Sequence, residues 1–89
     1  MWFLYLLRCS DGSFYTGVTT DLNRRLQEHN AGTGGAYTRS KRPVKLVFGE
    51  NHSTRSSALK REAEIKGWPR SRKKDLALMF ASQLFAFVR

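Results

Sequence analysis

At 89 residues, with 40% hydrophobic and 12% aromatic residues, the chain has the size and composition of one folded domain, which excludes both two independent cores and a disordered segment. Sixteen Lys and Arg against seven Asp and Glu leave a formal net charge of +9; this points to a polyanion, nucleic acid ahead of an anionic membrane surface, because neutralised phosphates release their counterions. The lone Cys9 excludes an intrachain disulfide and a zinc site of paired cysteines, and is compatible with a reducing cytoplasm.

Residues 2–8 and 14–19 are rich in aromatic and β-prone types and flank an Asp11-Gly12 step, which predicts an antiparallel hairpin. The apolar start breaks at Arg8 and has no basic leader, so it does not read as a signal peptide. Thr19-Thr20-Asp21 supplies cap candidates for a first helix over about residues 21–31, stopped by Gly32. From Gly32 to Pro43 the glycines, hydroxyl residues and basic residues predict a long exposed loop. Val44–Phe48 alternates as a strand. Ser53 or Thr54 can cap a second helix running to Lys66, with Gly67 and Pro69 ending it, and Ser71 can cap a third from about Arg72 to the C-terminus. The order β-β-α-β-α-α predicts a small α+β domain, a three-stranded antiparallel sheet flanked by helices, spanning residues 1–89.

On the third helix Leu76, Met79, Phe80, Leu84 and Phe87 form one stripe while Leu78, Phe85 and Val88 lie off it. A helix apolar on more than one side reads as core together with a surface for a homodimer or a protein partner. The run Leu76–Val88 is shorter than the roughly 20 residues that span a bilayer, so a soluble, cytoplasmic protein is expected.

Taking about 100° per residue, Leu22 and Leu26 face inward on the first helix, with Arg25 and His29 one turn apart along the stripe's edge and Arg24 and Glu28 turned toward solvent. On the second helix Ala58, Leu59 and Ile65 form an apolar stripe with Glu62 in its middle. A carboxylate there needs a cation, a hydrogen-bond network or a metal ion. With no acidic cluster beside it, one hydrated divalent ion is more natural than a two-metal site. Tyr5 and Tyr15 lie on the paired strands, where a tyrosine is ordinarily a packing residue.

Taken in order, Phe3-Leu4-Tyr5, Tyr15-Thr16-Gly17, Arg25 and His29 on the next helix, and Ala58-Leu59-Lys60-Arg61-Glu62 resemble the GIY-YIG nuclease superfamily over about residues 2–72. The overall length and the stretch Leu7–Ser13 resemble its small stand-alone bacterial branch, the UPF0213 group. The resemblance implies a metal-dependent endonuclease that hydrolyses DNA in repair or recombination. It implies that Tyr5, Tyr15, Arg25, His29 and Glu62 are catalytic, that Gly17 is the motif glycine, and that Glu62 holds one Mg²⁺ or Mn²⁺. Tyr5 would act as general base on a water, its proton drawn toward His29 and its pKa lowered by adjacent cation charge. Arg25 would neutralise the phosphate, Tyr15 would position phosphate or water, and the metal would stabilise the leaving oxygen. Phe3 stands where the family has its first glycine, and the family's late asparagine has no counterpart, with Arg70, Arg72 or Lys73 available instead.

The loop residues Arg39, Lys41 and Arg42, with Arg70, Arg72 and Lys73, are expected to grip the nucleic-acid backbone, and Tyr37 and Trp68 to stack on unpaired bases. No helix reads as a major-groove reader, which favours single-stranded, branched or otherwise flexible DNA. Two rival readings use the same fold: a nucleic-acid-binding module without catalysis, and an interaction protein that docks through its apolar C-terminal helix.

Overall fold

Trp2–Arg8 forms strand β1, and its centre, Leu4–Leu7, is buried residue after residue. Such a run needs cover on both faces of a sheet. In the computed structural model, which describes the backbone of residues 1–87 and side chains as far as Ser82, β1 is accordingly the central strand of an antiparallel sheet of order β2-β1-β3. β2 is Phe14–Thr19 and β3 is Lys45–His52. Successive side chains of a strand face opposite sides. Tyr5 and Leu7 therefore pack with Leu22 and Leu26 of helix α1 (Leu22–Ala31), whereas Leu4 and Leu6 pack with Ile65 of α3 (Arg55–Lys66) and Leu76 of α4 (Arg70–Phe87). The expected α+β architecture is present, with one core on each face of the sheet.

The turn chemistry follows the sequence closely. Gly12 has φ 82° in the hairpin, and Asp11 Oδ1 accepts from the backbone N–H and hydroxyl of Ser13 at 3.0 and 2.6 Å. Asp21 caps α1 by accepting from Arg24 N at 3.0 Å, and Gly32, at φ 87°, closes it. Thr54 caps α3 through Ser57 N at 3.1 Å.

Four local expectations are corrected. β3 runs on to His52, past the predicted Phe48, and its alternation breaks at a register shift where Leu6 faces Phe48 but Leu7 faces Leu46. This bulge puts Val47 and Phe48 against the same core. The stretch from Gly32 to Pro43 is no plain exposed loop: it contains the short helix α2 (Ala36–Arg39) and buries Gly34 and Thr38. Asn30 fixes its exit, its side-chain amide donating to Val44 O at 3.1 Å and accepting from Val44 N at 2.8 Å as a neighbouring strand would. α4 starts at Arg70, with Pro69 O accepting from Arg72 N and Lys73 N, so Ser71 lies inside the first turn and is not its cap. Of the apolar stripe on α4, Leu76 is in the core and Phe80 meets Phe48 edge-on at 5.5 Å, while Met79 is exposed, as is Leu78 off the stripe. Leu84, Phe85, Phe87 and Val88 fall outside the described side chains. Among the described residues no helix is long and apolar enough to cross a membrane.

Candidate active site

The sheet register places Tyr5 between two glycines, Gly17 on β2 and Gly49 on β3. This leaves room on the α1 face for a phenol to lie across the sheet. A Cβ on Gly17 would sit 2.5 Å from Tyr5 Cζ, so the ring occupies the space that any other residue's side chain would claim. From there Tyr5 Oη reaches His29 Nε2 at 3.0 Å, and His29 Nδ1 lies 2.7 Å from Thr38 Oγ1. The neutral imidazole with its proton on Nδ1 satisfies every member of this chain: Nδ1–H donates to Thr38, and Nε2 accepts the Tyr5 hydroxyl proton. All three residues are at most 2% exposed.

Around this buried chain stand groups that keep contact with solvent. The Tyr15 ring lies 5.1 Å from the His29 ring and 6.3 Å from that of Tyr5, and Tyr37 stacks on Tyr15 at 5.9 Å. Arg25, whose side chain is 29% exposed, is held by Gly34 O at 2.8 Å and Glu28 Oε1 at 3.1 Å. The Glu62 side chain is 20% exposed, with Lys66 Nζ 3.7 Å away. Its charge is felt at Tyr5. Burial pushes the Tyr5 hydroxyl up to about 12; the nearby Arg25 pulls it down, and Tyr15 and Glu62 add to the rise. Burial, and then the Arg25 charge, hold His29 below its ordinary value, with Glu28 opposing. At neutral pH the pair is therefore a protonated phenol facing a neutral imidazole, a proton donor aligned on an empty acceptor.

This pair has a consequence for stability. The folded state keeps the Tyr5 proton up to about 12, against an ordinary value of 10.0, so stability is lost as pH rises from about 10 toward 12. The folded state resists protonating His29, so stability is also lost as pH falls below about 6.5. Urea unfolding midpoints measured across pH are expected to form a plateau between these limits, and a His29→Gln variant is expected to lack the decline that sets in just below 6.5, keeping the one at lower pH where Asp11 takes up its proton.

Residues 1–75 match the family model described as the GIY-YIG catalytic domain. The chain belongs to the GIY-YIG family. A UPF0213 protein of Haloquadratum walsbyi is 55% identical over 75 residues, which cover 84% of each chain. One from Staphylococcus aureus is 52% identical over 71 residues, covering 80% of this chain and 87% of the relative. The solution NMR structure of a UPF0213 protein from Bacillus halodurans, 39% identical, superposes with a TM-score of 0.56 over 89% of this chain and 85% of that one. That of a protein from E. faecalis, 46% identical, gives 0.58 over 89% and 84%. The GIY-YIG domain here is thus of the UPF0213 group, and it is a nuclease-family domain with DNA as the substrate class that the family indicates.

Within this GIY-YIG domain Tyr5, Tyr15, Arg25 and His29 come together, with Gly17 beneath Tyr5; Glu62, on α3, touches none of them among the described contacts, although its charge is felt at Tyr5. Three details differ from expectation. Tyr5 is raised, not lowered, since burial outweighs Arg25. Glu28 turns to Arg25 and not to open solvent. Glu62 shares the stripe of Ala58 and Ile65, yet it is not sealed in it: the carboxylate keeps access to water. Sequence reasoning missed Thr38 and Gly34. A Cβ at Gly34 would strike the His29 backbone and ring, so this glycine lets the loop close over the imidazole while its carbonyl holds Arg25. The only sequence signal was a glycine-rich loop following a histidine that borders a core.

The basic residues divide by what they already touch. Arg39 and Lys73 have no polar partner among the described residues; Arg42 is spent on Arg39 O at 2.8 Å and Asn30 O at 3.4 Å, and Lys41 lies 3.5 Å from Asp11 and over the Tyr37 ring. Arg70 donates to Gly12 O at 3.0 Å. Trp68 is not open for stacking, because Arg61 and Arg72 cover its ring at 5.2 and 4.1 Å. Tyr37 already stacks on Tyr15, although it remains largely exposed.

Proposed function

We propose that this protein is a divalent-metal-dependent endonuclease that hydrolyses the phosphodiester bonds of single-stranded or otherwise flexible DNA. The observation that carries the reading is the buried Tyr5–His29–Thr38 chain, with the Tyr15 ring against His29 and Arg25 anchored by Gly34 and Glu28. Tyr5 cannot serve as a standing phenolate, since its proton is held up to about 12. Its hydroxyl acts instead as a relay: it takes the proton of the attacking water as it passes its own to His29 Nε2, leaving an imidazolium that Thr38 holds in place. The water oxygen forms its bond to phosphorus while the bond to the leaving oxygen breaks.

Arg25, its fork fixed by Gly34 and Glu28, neutralises charge building on the nonbridging oxygens, a contribution worth about 3–4 kcal/mol for one well-placed donor. The same phosphate relieves the electrostatic pressure that Arg25 puts on a protonated His29. Tyr15 orients the phosphate or the water. Among the described residues no three His, Cys, Asp or Glu gather as metal ligands. Glu62 fits the role of single protein ligand, with a water-accessible carboxylate that only Lys66 approaches as an ion pair among the described residues; Mg²⁺ or Mn²⁺ there would take its other ligands from water and substrate. The ion would supply charge stabilisation at the leaving oxygen.

The purified protein incubated with end-labelled single-stranded, duplex and branched DNA is expected to cut in Mg²⁺ or Mn²⁺ and to stop when EDTA removes the metal. Binding without cleavage on every substrate and metal would establish the non-catalytic module in place of this reading.

A further inference from the structure

On the face of the sheet opposite the Tyr5 relay lies a cleft of about 230 Å³ with an apolar floor of Phe14, Val47, Ala77 and Leu78. It is smaller than the roughly 300–1,000 Å³ of sites for drug-sized ligands, and suits a single flat ring system. Its rim is cationic, with Arg8, Arg70 and Lys74, and no acidic residue is among the described residues lining it. None of the three pairs with an acid among the described residues, although Arg70 also donates to Gly12 O.

The placement of these charges is costly to the fold. Arg70, Arg72, Lys73 and Lys74 crowd the first turns of α4, which has no acid in its first turn, although a helix N-terminus already carries partial positive charge and disfavours cations. Such an arrangement is relieved by an anion. An apolar floor beneath a phosphate-binding rim is complementary to a nucleotide, whose base is apolar on its faces and whose phosphates are charged.

The topology links this cleft to the candidate active site. Phe14, on the cleft floor, and Tyr15, at the relay, are successive residues of β2, an edge strand, and so face opposite sides of the sheet. A strand wrapping that edge reaches both. Duplex DNA, with a persistence length of about 50 nm, does not make such a turn.

We propose that this cleft binds one unpaired base of single-stranded nucleic acid, stacked on Phe14, with Arg8, Arg70 and Lys74 on the flanking phosphates. As a route of substrate to the relay, this rests on the nuclease reading; as a binding site, it does not.

The test is an NMR titration of the isotope-labelled protein with a short oligothymidylate, with thymidine 5′-monophosphate and with a short duplex, run on both wild type and Glu62→Ala so that loss of cleavage cannot alter the result. The oligothymidylate is expected to shift signals of Phe14, Val47, Ala77 and Leu78 and the mononucleotide to do so more weakly, whereas the duplex leaves them in place. Leu78 is 60% exposed, so Leu78→Glu retains the fold, which its unfolding midpoint checks, and should weaken oligothymidylate binding by about tenfold, the scale of one lost base stack. Lys74→Glu should weaken it as well. Shifts confined to the Tyr15 face, or unchanged affinity in both variants, would overturn the proposal. So would a mononucleotide that binds as tightly as the oligomer, or cleft signals that move with protein concentration alone, which would make the cleft a free-nucleotide site or a contact between copies.

Discussion

Replacing Tyr5 with phenylalanine is expected to lower the single-turnover rate of DNA cleavage by about 10²–10⁴-fold, the range of a positioned proton-transfer group, while DNA affinity changes little. The substitution removes one oxygen and leaves the ring that packs over Gly17 with Leu7, Leu22 and Leu26. It also leaves His29 Nε2 buried without its partner, so a modest fall in unfolding midpoint accompanies the loss. Because Tyr5 and His29 act on one proton, the double variant Tyr5→Phe with His29→Gln should be hardly slower than either single one, as groups that work as a unit are strongly non-additive. If the two losses multiplied in full, Tyr5 and His29 would be acting in separate steps and the relay would be wrong. Quench-flow or gel-based rates under enzyme excess provide the comparison.

Gly17→Ala is expected to cost about 1–3 kcal/mol of stability, as overpacking does in a core, from a total of roughly 5–15 kcal/mol for a natural domain. Gly17 is in a β-strand with no positive φ, so conformational freedom is not its purpose. The reason is steric: the added methyl would overlap the Tyr5 phenol, whose hydroxyl is tied to His29 and cannot swing aside as an exposed side chain would. Relief requires shifting Tyr5 off His29, so cleavage should fall together with stability. Gly49→Ala serves as the comparison on the other flank of Tyr5, where a Cβ would meet nothing nearer than Leu22 Cδ1 at 3.5 Å, an ordinary contact. Chemical unfolding of the two variants should separate them, and equal stability would remove the steric account of the motif glycine.

These two cases mark what the sequence made legible. The spacing of Tyr5, Tyr15, Gly17, Arg25, His29 and Glu62 was enough to single them out as candidates, because the family resemblance encodes a geometry that local rules alone would not. The hairpin, the caps at Asp21 and Thr54 and the stop at Gly32 were readable because each is settled by a few neighbouring residues. Contacts between segments were not. Nothing in the periodicity of residues 32–43 told that Thr38 would bond His29 or that Gly34 would lie on its ring, since both depend on how the loop folds back over α1. Trp68 looked available for bases until Arg61 and Arg72, from two different helices, were seen on its faces. The helical wheel aimed Glu62 along the stripe of Ala58 and Ile65 but could not tell that its carboxylate stays wet while its charge reaches Tyr5. The same limit applied to Tyr5. A general-base role called for adjacent cation charge to lower it, whereas burial, which a sequence does not display, decides the balance.

The most direct test of the central claim is cleavage and DNA binding measured on the same samples of wild type and Glu62→Ala, with Mg²⁺ or Mn²⁺ and with EDTA. The account predicts metal-dependent cutting by wild type, no detectable cutting by Glu62→Ala, and DNA affinity within about twofold, because one partly exposed carboxylate contributes little to a surface that binds phosphates through many cations. Equal cutting by Glu62→Ala, or cutting by wild type that persists in EDTA, would contradict it.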